Sequence, residues 1–359
     1  MPRLLTALVA LLLFGVAAPA DAARPSTDGA AYERSGANPL AGRTWGVYQG
    51  PGDQAWTAWS AEPEGETRTL LERIVLQPKS KWYGQWIATE NIRKVVADNI
   101  AVAQAGDPEA LVQLTAFRLK PWEDEACTRL PTAQEQADYK AWTDEFVAGI
   151  GSAHAAVVLQ PDGPFALCAP QHSKLPSKLI RYAAKKLGAL PNTSTYIDAG
   201  ASDWLKDDTA RALKILVPAG VKHVRGFSLN NTHYAATEDE VAFAAAVAKA
   251  LADKGLPGKR AVINTAANGR PFNGYEYTGD NFDNAETCKK KRQRRCVTLG
   301  IPPTADVANP QWGLPKATTR LAKKYVDGYV WVGRPWLFMQ ADPFVMERAL
   351  DVARTTPYQ

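Results

Sequence analysis

The chain contains none of the short signatures around which common hydrolase and nucleotide sites are built. There is no GxSxG elbow, no Walker loop, no GxGxxG following a strand and no HExxH. Histidine occurs only at His154, His172, His223 and His233, too dispersed to gather round a metal ion. Serine hydrolase, nucleotide-dependent and zinc chemistries fall away, and neither a metal nor a cofactor is expected. Cysteine is equally scarce: Cys127, Cys168, Cys288 and Cys296 form no CxxC and no Cys/His cluster. Beyond the N-terminus no stretch stays apolar for the roughly 20 residues of a membrane helix, so no membrane span is expected. A net charge of +5 is too small to point to nucleic acid, and the basic residues are scattered except for one run, Lys289 to Arg295.

The N-terminus carries Arg3, an apolar run from Leu4 to about Ala17, and the small-x-small triplet Ala20-Asp21-Ala22. This is the pattern of a signal peptide over residues 1–22 with cleavage before Ala23. The expected mature protein is therefore secreted, and an even cysteine count in an exported chain argues for two disulfides. Residues 23–359 show no internal repeat and no Pro/Thr/Ser-rich linker, so one domain with a substantial core is expected.

Short apolar or β-branched runs alternate with longer amphipathic stretches, which predicts a parallel sheet with crossover helices. Strands are expected at 111–119, 155–160, 195–197, 223–229, 260–263 and 328–332, and helices at 133–150, 178–187, 207–216 and 237–252. Thr237 and Glu240 have the spacing of a capping box at the start of the last helix. Residues with chemistry collect just after the strands: Asp124, Asp162, Asp198, Asn230 and Asn264. In a β/α barrel the carboxyl ends of the strands share one face and their loops form the active site. The fold class expected is a distorted, TIM-like β/α barrel of parallel strands surrounded by helices, with one cleft on that face.

What remains for chemistry is acidic and aromatic. Glycoside cleavage by inversion needs one carboxylic acid to protonate the leaving oxygen and a second group to activate water. Sugar chains also need flat aromatic platforms, and eleven tryptophans can supply them. Asp162 closes an apolar strand in VVLQPDGPF, Asp124 lies in KPWEDEAC, Asp198 ends the β-rich YIDAGASDW, and Trp82 and Trp86 lie in PKSKWYGQW.

Taken in order, NPLAGRTWGVY, QPKSKWYGQW, KPWEDEAC, VLQPD, YIDAGASDW, VRGFSLNNTHY, VINTAANG, CVTLGIPPT and GYVWVGRP resemble glycoside hydrolase family 6, the inverting cellobiohydrolases and endoglucanases. The resemblance implies a β-1,4-glucan partner, and the chain is expected to act on it as a monomer. The family's acid ends a Glu-Pro-Asp triplet, which here reads Gln160-Pro161-Asp162, so the resemblance makes Asp162 the proton donor. Its second aspartate maps to Asp124, with Glu125 as a substitute, because two residues are inserted before Cys127. Asp198 matches the aspartate of the family's YxDAG motif, Trp204 the stacking tryptophan after it, Trp82 a platform near the cleavage point, and Asn230 a sugar-binding asparagine. The family also implies Cys127 joined to Cys168, which leaves Cys288 for Cys296.

The departures gather at the other end of the site. The family's last strand leads into a Lys, a Pro-Gly-Glu and an Asp-Gly whose aspartate is its proposed base. Here it runs Trp331-Val332-Gly333-Arg334-Pro335-Trp336-Leu337-Phe338-Met339-Gln340, without Lys, Glu or Asp. The DTSRNG-like motif has become Asn264-Thr265-Ala266-Ala267-Asn268-Gly269, Arg295 replaces a tryptophan and Arg118 a tyrosine. Asp124, then Asp198, are left to activate water. Two classes remain open, an active divergent endoglucanase and a glycan-binding protein on the same fold. The run Lys289 to Arg295 reads either as a solvated loop face or as an attractor for anionic polymer beside the cleft.

Overall fold

Ala155–Leu159 is apolar at every position, as a strand covered on both faces must be, and all 5 of its residues are buried. The computed structural model that contains it describes residues 37–358, apart from the side chain of Asp124. The expected leader, residues 1–22, lies outside the described residues.

The strands are β1 (Lys81–Gly84), β2 (Val112–Phe117), β3 (Ala155–Leu159), β4 (Thr193–Asp198), β5 (Gly226–Leu229), β6 (Arg260–Asn264) and β7 (Val326–Val330). They pair in parallel in chain order, β1-β2-β3-β4-β5-β6-β7. The larger helices are α1 (Gln54–Ala61), α2 (Glu66–Val75), α3 (Thr89–Gln104), α4 (Ala133–Ile150), α5 (Leu175–Gly188), the single turn α6 (Ser202–Leu205), α7 (Thr209–Leu216), α8 (Thr237–Asp253), α9 (Lys316–Tyr325) and α10 (Met346–Thr355).

Side chains alternate across each strand, so β3 sends Val157 and Leu159 toward the helices and Ala156 and Val158 inward. The inward set joins Leu40, Leu111, Tyr196, Val262, Val330 and Val332 in a core inside the curled sheet. Among the described residues β1 and β7 share no ladder. The seam is bridged by the Ser80 N–H donating to the Trp331 carbonyl at 2.8 Å, and by the Trp82 indole donating to the Val332 carbonyl at 2.8 Å. Seven parallel strands thus curl into a distorted TIM-like half-barrel, the expected class.

The boundaries differ from the sequence expectation where tertiary contacts override local pattern. The expected strand at 223–229 begins only at Gly226, because Val221–His223 turns as a 3-10 helix after Gly220, whose φ is +86°. The last strand starts at Val326, directly after α9, and the following Trp331 and Val332 bond instead to Ser80 and to Asn264 Oδ1. The capping box expected at Thr237 and Glu240 is not formed. The N-cap of α8 is Ala236, and Glu240 is fully buried, accepting from the backbone N–H and hydroxyl of Ser202. A capping box does start α4, between Thr132 and Glu135. Helix α4 packs closely on α3, where a Cβ on Gly149 would stand 2.7 Å from the Arg93 carbonyl.

Candidate active site

The loop after β3 is set by two residues with unusual backbone. Gln160 and Asp162 both adopt positive φ, +55° and +65°, a region in which aspartate is enriched. Between them the Pro161 carbonyl accepts the Trp122 indole N–H at 2.9 Å, and Gln160 Oε1 accepts from Arg118 N and Leu119 N at 3.3 and 3.1 Å. Gly163 follows, and no other residue fits there: a Cβ would stand 2.3 Å from the Asp198 carbonyl. These contacts lock the end of β2 to the end of β3 and present the Asp162 carboxyl at the mouth of the half-barrel.

Asp162 Oδ1 accepts the Thr232 hydroxyl at 2.8 Å. Burial pushes its carboxyl up to about 6; the Thr232 hydrogen bond and His233 work against that, while Glu123 and Asp283 add to it. Asp198 lies behind it, 1 % exposed, accepting Gly163 N and Gly200 N at 2.7 Å each and the Asn231 side-chain amide. Burial raises this carboxyl too, with the neighbouring Asp162 charge adding to it and the three N–H donors opposing.

The loop after β5 organises both acids. Asn231 donates to Asp198 and accepts from Ser228 at 2.8 Å, Thr232 donates to Asp162, and His233 stacks on Trp204 with ring centroids 4.8 Å apart and planes 14° apart. His233 Nδ1 is 2.9 Å from Asp203 Oδ1, and Asp203 also accepts Trp204 N at 2.7 Å and Gly274 N at 2.8 Å.

A cleft of about 730 Å³ opens above Asp162, walled by Trp82, Trp86, Phe117, Phe165, Trp204 and Phe282 and carrying Glu123, Thr232, His233, Asp283, Arg334 and Asp342. Of the residues singled out in the sequence, Asp162, Trp82, Trp86 and Trp204 line it. Asp198 does not; it anchors the loops beneath. Asn230 is fully buried, with φ +65°, and its amide is spent on the backbone of Ala235 and Asn264, so it shapes the loop instead of facing sugar. Asp124 belongs to the 3-10 turn Glu123–Cys127, and its side chain lies outside the described residues. Glu125 pairs with Arg129 at 3.0 Å and is absent from the cleft wall. Thr232, His233, Asp203 and Arg334 were not anticipated. The segment LNNTHY drew attention to Asn230 alone, and only the folded loop reveals that its next three side chains reach the site.

Disulfides join Cys127 to Cys168 and Cys288 to Cys296, the two expected pairs. The first staples the Glu123–Cys127 turn to the Gly163–Leu167 turn that follows Asp162. The second closes the basic loop, where Lys289 pairs with Glu347 and Asp351 and Arg295 approaches Glu276. No residue of that loop lines the cleft. Among the described residues no group of three or more metal-ligating side chains occurs, and no helix is long and apolar enough to cross a membrane.

Parallel strands whose carboxyl ends open on an aromatic cleft, with an acid of raised pKa at its floor, define the class of the β/α-barrel glycosidases. The model of glycosyl hydrolases family 6 matches residues 47–336, and the chain belongs to that family. It is 31% identical over 233 residues to endoglucanase A of Cellulomonas fimi, covering 64% of this chain and 48% of the relative, so it spans about half that protein's length. It is 28% identical over 281 residues to endoglucanase 1 of Streptomyces halstedii, covering 76% and 79%. Among solved structures, the endoglucanase Cel6 from Mycobacterium tuberculosis, in complex with methyl-cellobiosyl-4-deoxy-4-thio-β-D-cellobioside, superposes with a TM-score of 0.69 at 27% identity, covering 89% of this chain and 99% of that one. Cellobiohydrolase II (Cel6A) from Humicola insolens, in complex with glucose and cellotetraose, gives 0.66 at 17% identity, covering 89% and 99%, a likeness of fold.

Proposed function

We propose that the protein is a secreted endo-acting β-1,4-glucanase that works by inversion, with Asp162 as general acid. The observation that carries this reading is the Asp162 carboxyl on the cleft floor, raised to about 6 by burial and held by Thr232. A carboxyl of that pKa keeps its proton in mildly acidic solution and can pass it to a glycosidic oxygen. Trp82 and Trp204, both in the cleft wall, offer ring surfaces for pyranose faces. For the water-activating carboxylate the reading keeps Asp124, whose turn is tied by Cys127–Cys168 to the loop bearing the acid. Asp198 is the weaker candidate, because its oxygens already serve three N–H donors.

The decisive experiment is release of reducing ends from a soluble β-1,4-glucan, with the first-formed anomer followed by NMR. The expected product is the α-anomer, and β-anomer at early times would overturn inversion. The replacement of the family's base segment by Gly333 to Gln340 favours a second reading, a glycan-binding protein. Binding of cello-oligosaccharides by a folded protein inert on every glucan would establish it. Export is tested by N-terminal sequencing of the secreted chain, which should begin at Ala23.

A further inference from the structure

Beside the cleft, and sharing Trp82, Trp86, Arg334 and Asp342 with it, lies a polar pocket of about 210 Å³. Three cations line it. Lys79 is spoken for, at 2.9 Å from Asp53. Arg334 and Lys81 are not. The Arg334 guanidinium lies 4.6 Å above the centre of the Trp82 ring, yet it makes no hydrogen bond and no ion pair with any described residue, and its buried Nε has no partner. Lys81 donates to the Gly52 carbonyl and faces the Tyr48 ring at 5.0 Å, but has no carboxylate partner among the described residues. Two carboxylates also line the pocket: Asp53, which Lys79 engages, and Asp342, an exposed side chain held by Gln54 at 2.7 Å.

A half-buried guanidinium with a buried Nε and no bonded carboxylate is costly to keep, and its fork is shaped to take a carboxylate through two parallel N–H bonds. The other charged groups of the cleft wall, apart from His233, are the carboxyl groups of Glu123, Asp162, Asp283 and Asp342, which leaves Arg334 as its cationic partner for such a group. We propose that Arg334 and Lys81 form a carboxylate-binding subsite, and that the glycan held in this cleft bears a uronic-acid unit on the sugar lying against Trp82. The inference rests on the glucan-cleft reading above and narrows its substrate to a carboxylated β-glucan. It also moves the recognition of negative charge from the Lys289 to Arg295 loop, whose Lys289 is already paired, to the wall shared by the cleft and the polar pocket.

The test uses cellotetraose and singly C6-oxidised cellotetraoses, each with one glucuronosyl unit at a known position, titrated calorimetrically into the Asp162→Asn protein so that neither is consumed. One isomer should bind about tenfold more tightly than cellotetraose at low salt, the scale of one charge-assisted contact, and the preference should shrink as salt is added. In Arg334→Gln and in Lys81→Gln the preference should fall to about twofold or less. If Arg334→Gln loses its near-ultraviolet circular dichroism, the Lys81→Gln ratio and the salt series decide alone. No isomer binding better than cellotetraose, or a preference unchanged in the folded variants, overturns the proposal. Wild-type turnover of neutral glucan without any such preference would sink the subsite and keep the hydrolase. Tight binding of one isomer by a protein inert on all glucans would do the reverse.

Discussion

Asp162 is held where its neutral form is favoured, and that has opposite consequences for activity and stability. As general acid it must be protonated, so turnover should fall as pH rises through about 6. Its ordinary value is 3.8, so between about pH 4 and 6 the folded chain holds a proton that the unfolded chain has released, and stability declines with rising pH across that window. Asp162→Asn removes this cost. It should lower hydrolysis of natural glucans by about 10² to 10⁴-fold while raising stability at pH 7 by on the order of 2–3 kcal/mol. The gain should vanish below about pH 4, as followed by urea denaturation at several pH values. Thr232→Val removes a hydrogen bond that favours the charged carboxylate, so the alkaline limb of the kcat profile should move upward in pH. A downward move would show that the hydroxyl plays another part. The sequence made Asp162 conspicuous because a Pro and a Gly flank it at a strand end, whereas Thr232 is seventy residues away and only folding brings it into contact.

At the scale of elements, what could be read was what is governed by local pattern. β3 and α4 fall close to their expected limits because one is an unbroken apolar run and the other an amphipathic stretch bounded by Gly151. β1 escaped because Lys81-Trp82-Tyr83-Gly84 is only 4 residues long, buried at two of them, and held in the sheet by its pairing with β2. The Thr237/Glu240 pair misled because spacing says nothing about burial, and Glu240 is drawn inward by Ser202. The disulfides act on elements too. Cys127–Cys168 spans 41 residues and Cys288–Cys296 spans 8, so chain entropy assigns them about 4 and about 2.5 kcal/mol. Cys127→Ser should therefore lower the denaturant midpoint more than Cys288→Ser. It should also depress turnover beyond its effect on stability, because it frees the turns on which Asp124 and Asp162 depend. Equal losses of turnover in the two variants would disconnect the staple from the site.

For the whole molecule, an open seam raises the question of what keeps seven strands curled. Part of the answer lies at the end opposite the cleft, where Asp327 at the start of β7 is completely buried. Its carboxylate accepts Arg225 at 2.7 and 3.0 Å and the Tyr196 hydroxyl at 2.9 Å, with Arg260 at 2.8 Å, while its carbonyl accepts Asn38 at 2.6 Å. One residue thus draws together β4, β6, β7 and the segment leading into β5 through its carboxylate, and the first described residues through its carbonyl. In barrels of this kind the face carrying the amino ends of the strands serves stability and the opposite face serves chemistry. Asp327→Ala would remove the anion shared by two guanidinium groups, one buried and one half-buried, a change that costs about 3–5 kcal/mol. The expected result is a large fall in the urea midpoint, with kcat on soluble β-1,4-glucan, measured below the unfolding transition, within about twofold of wild type because no part of the cleft is touched. An unchanged midpoint would mean that the arginines find other partners and that the seam contacts at Ser80 and Trp82 hold the curl. A collapse of kcat in a protein still folded would mean that the two faces of the half-barrel are coupled through the sheet.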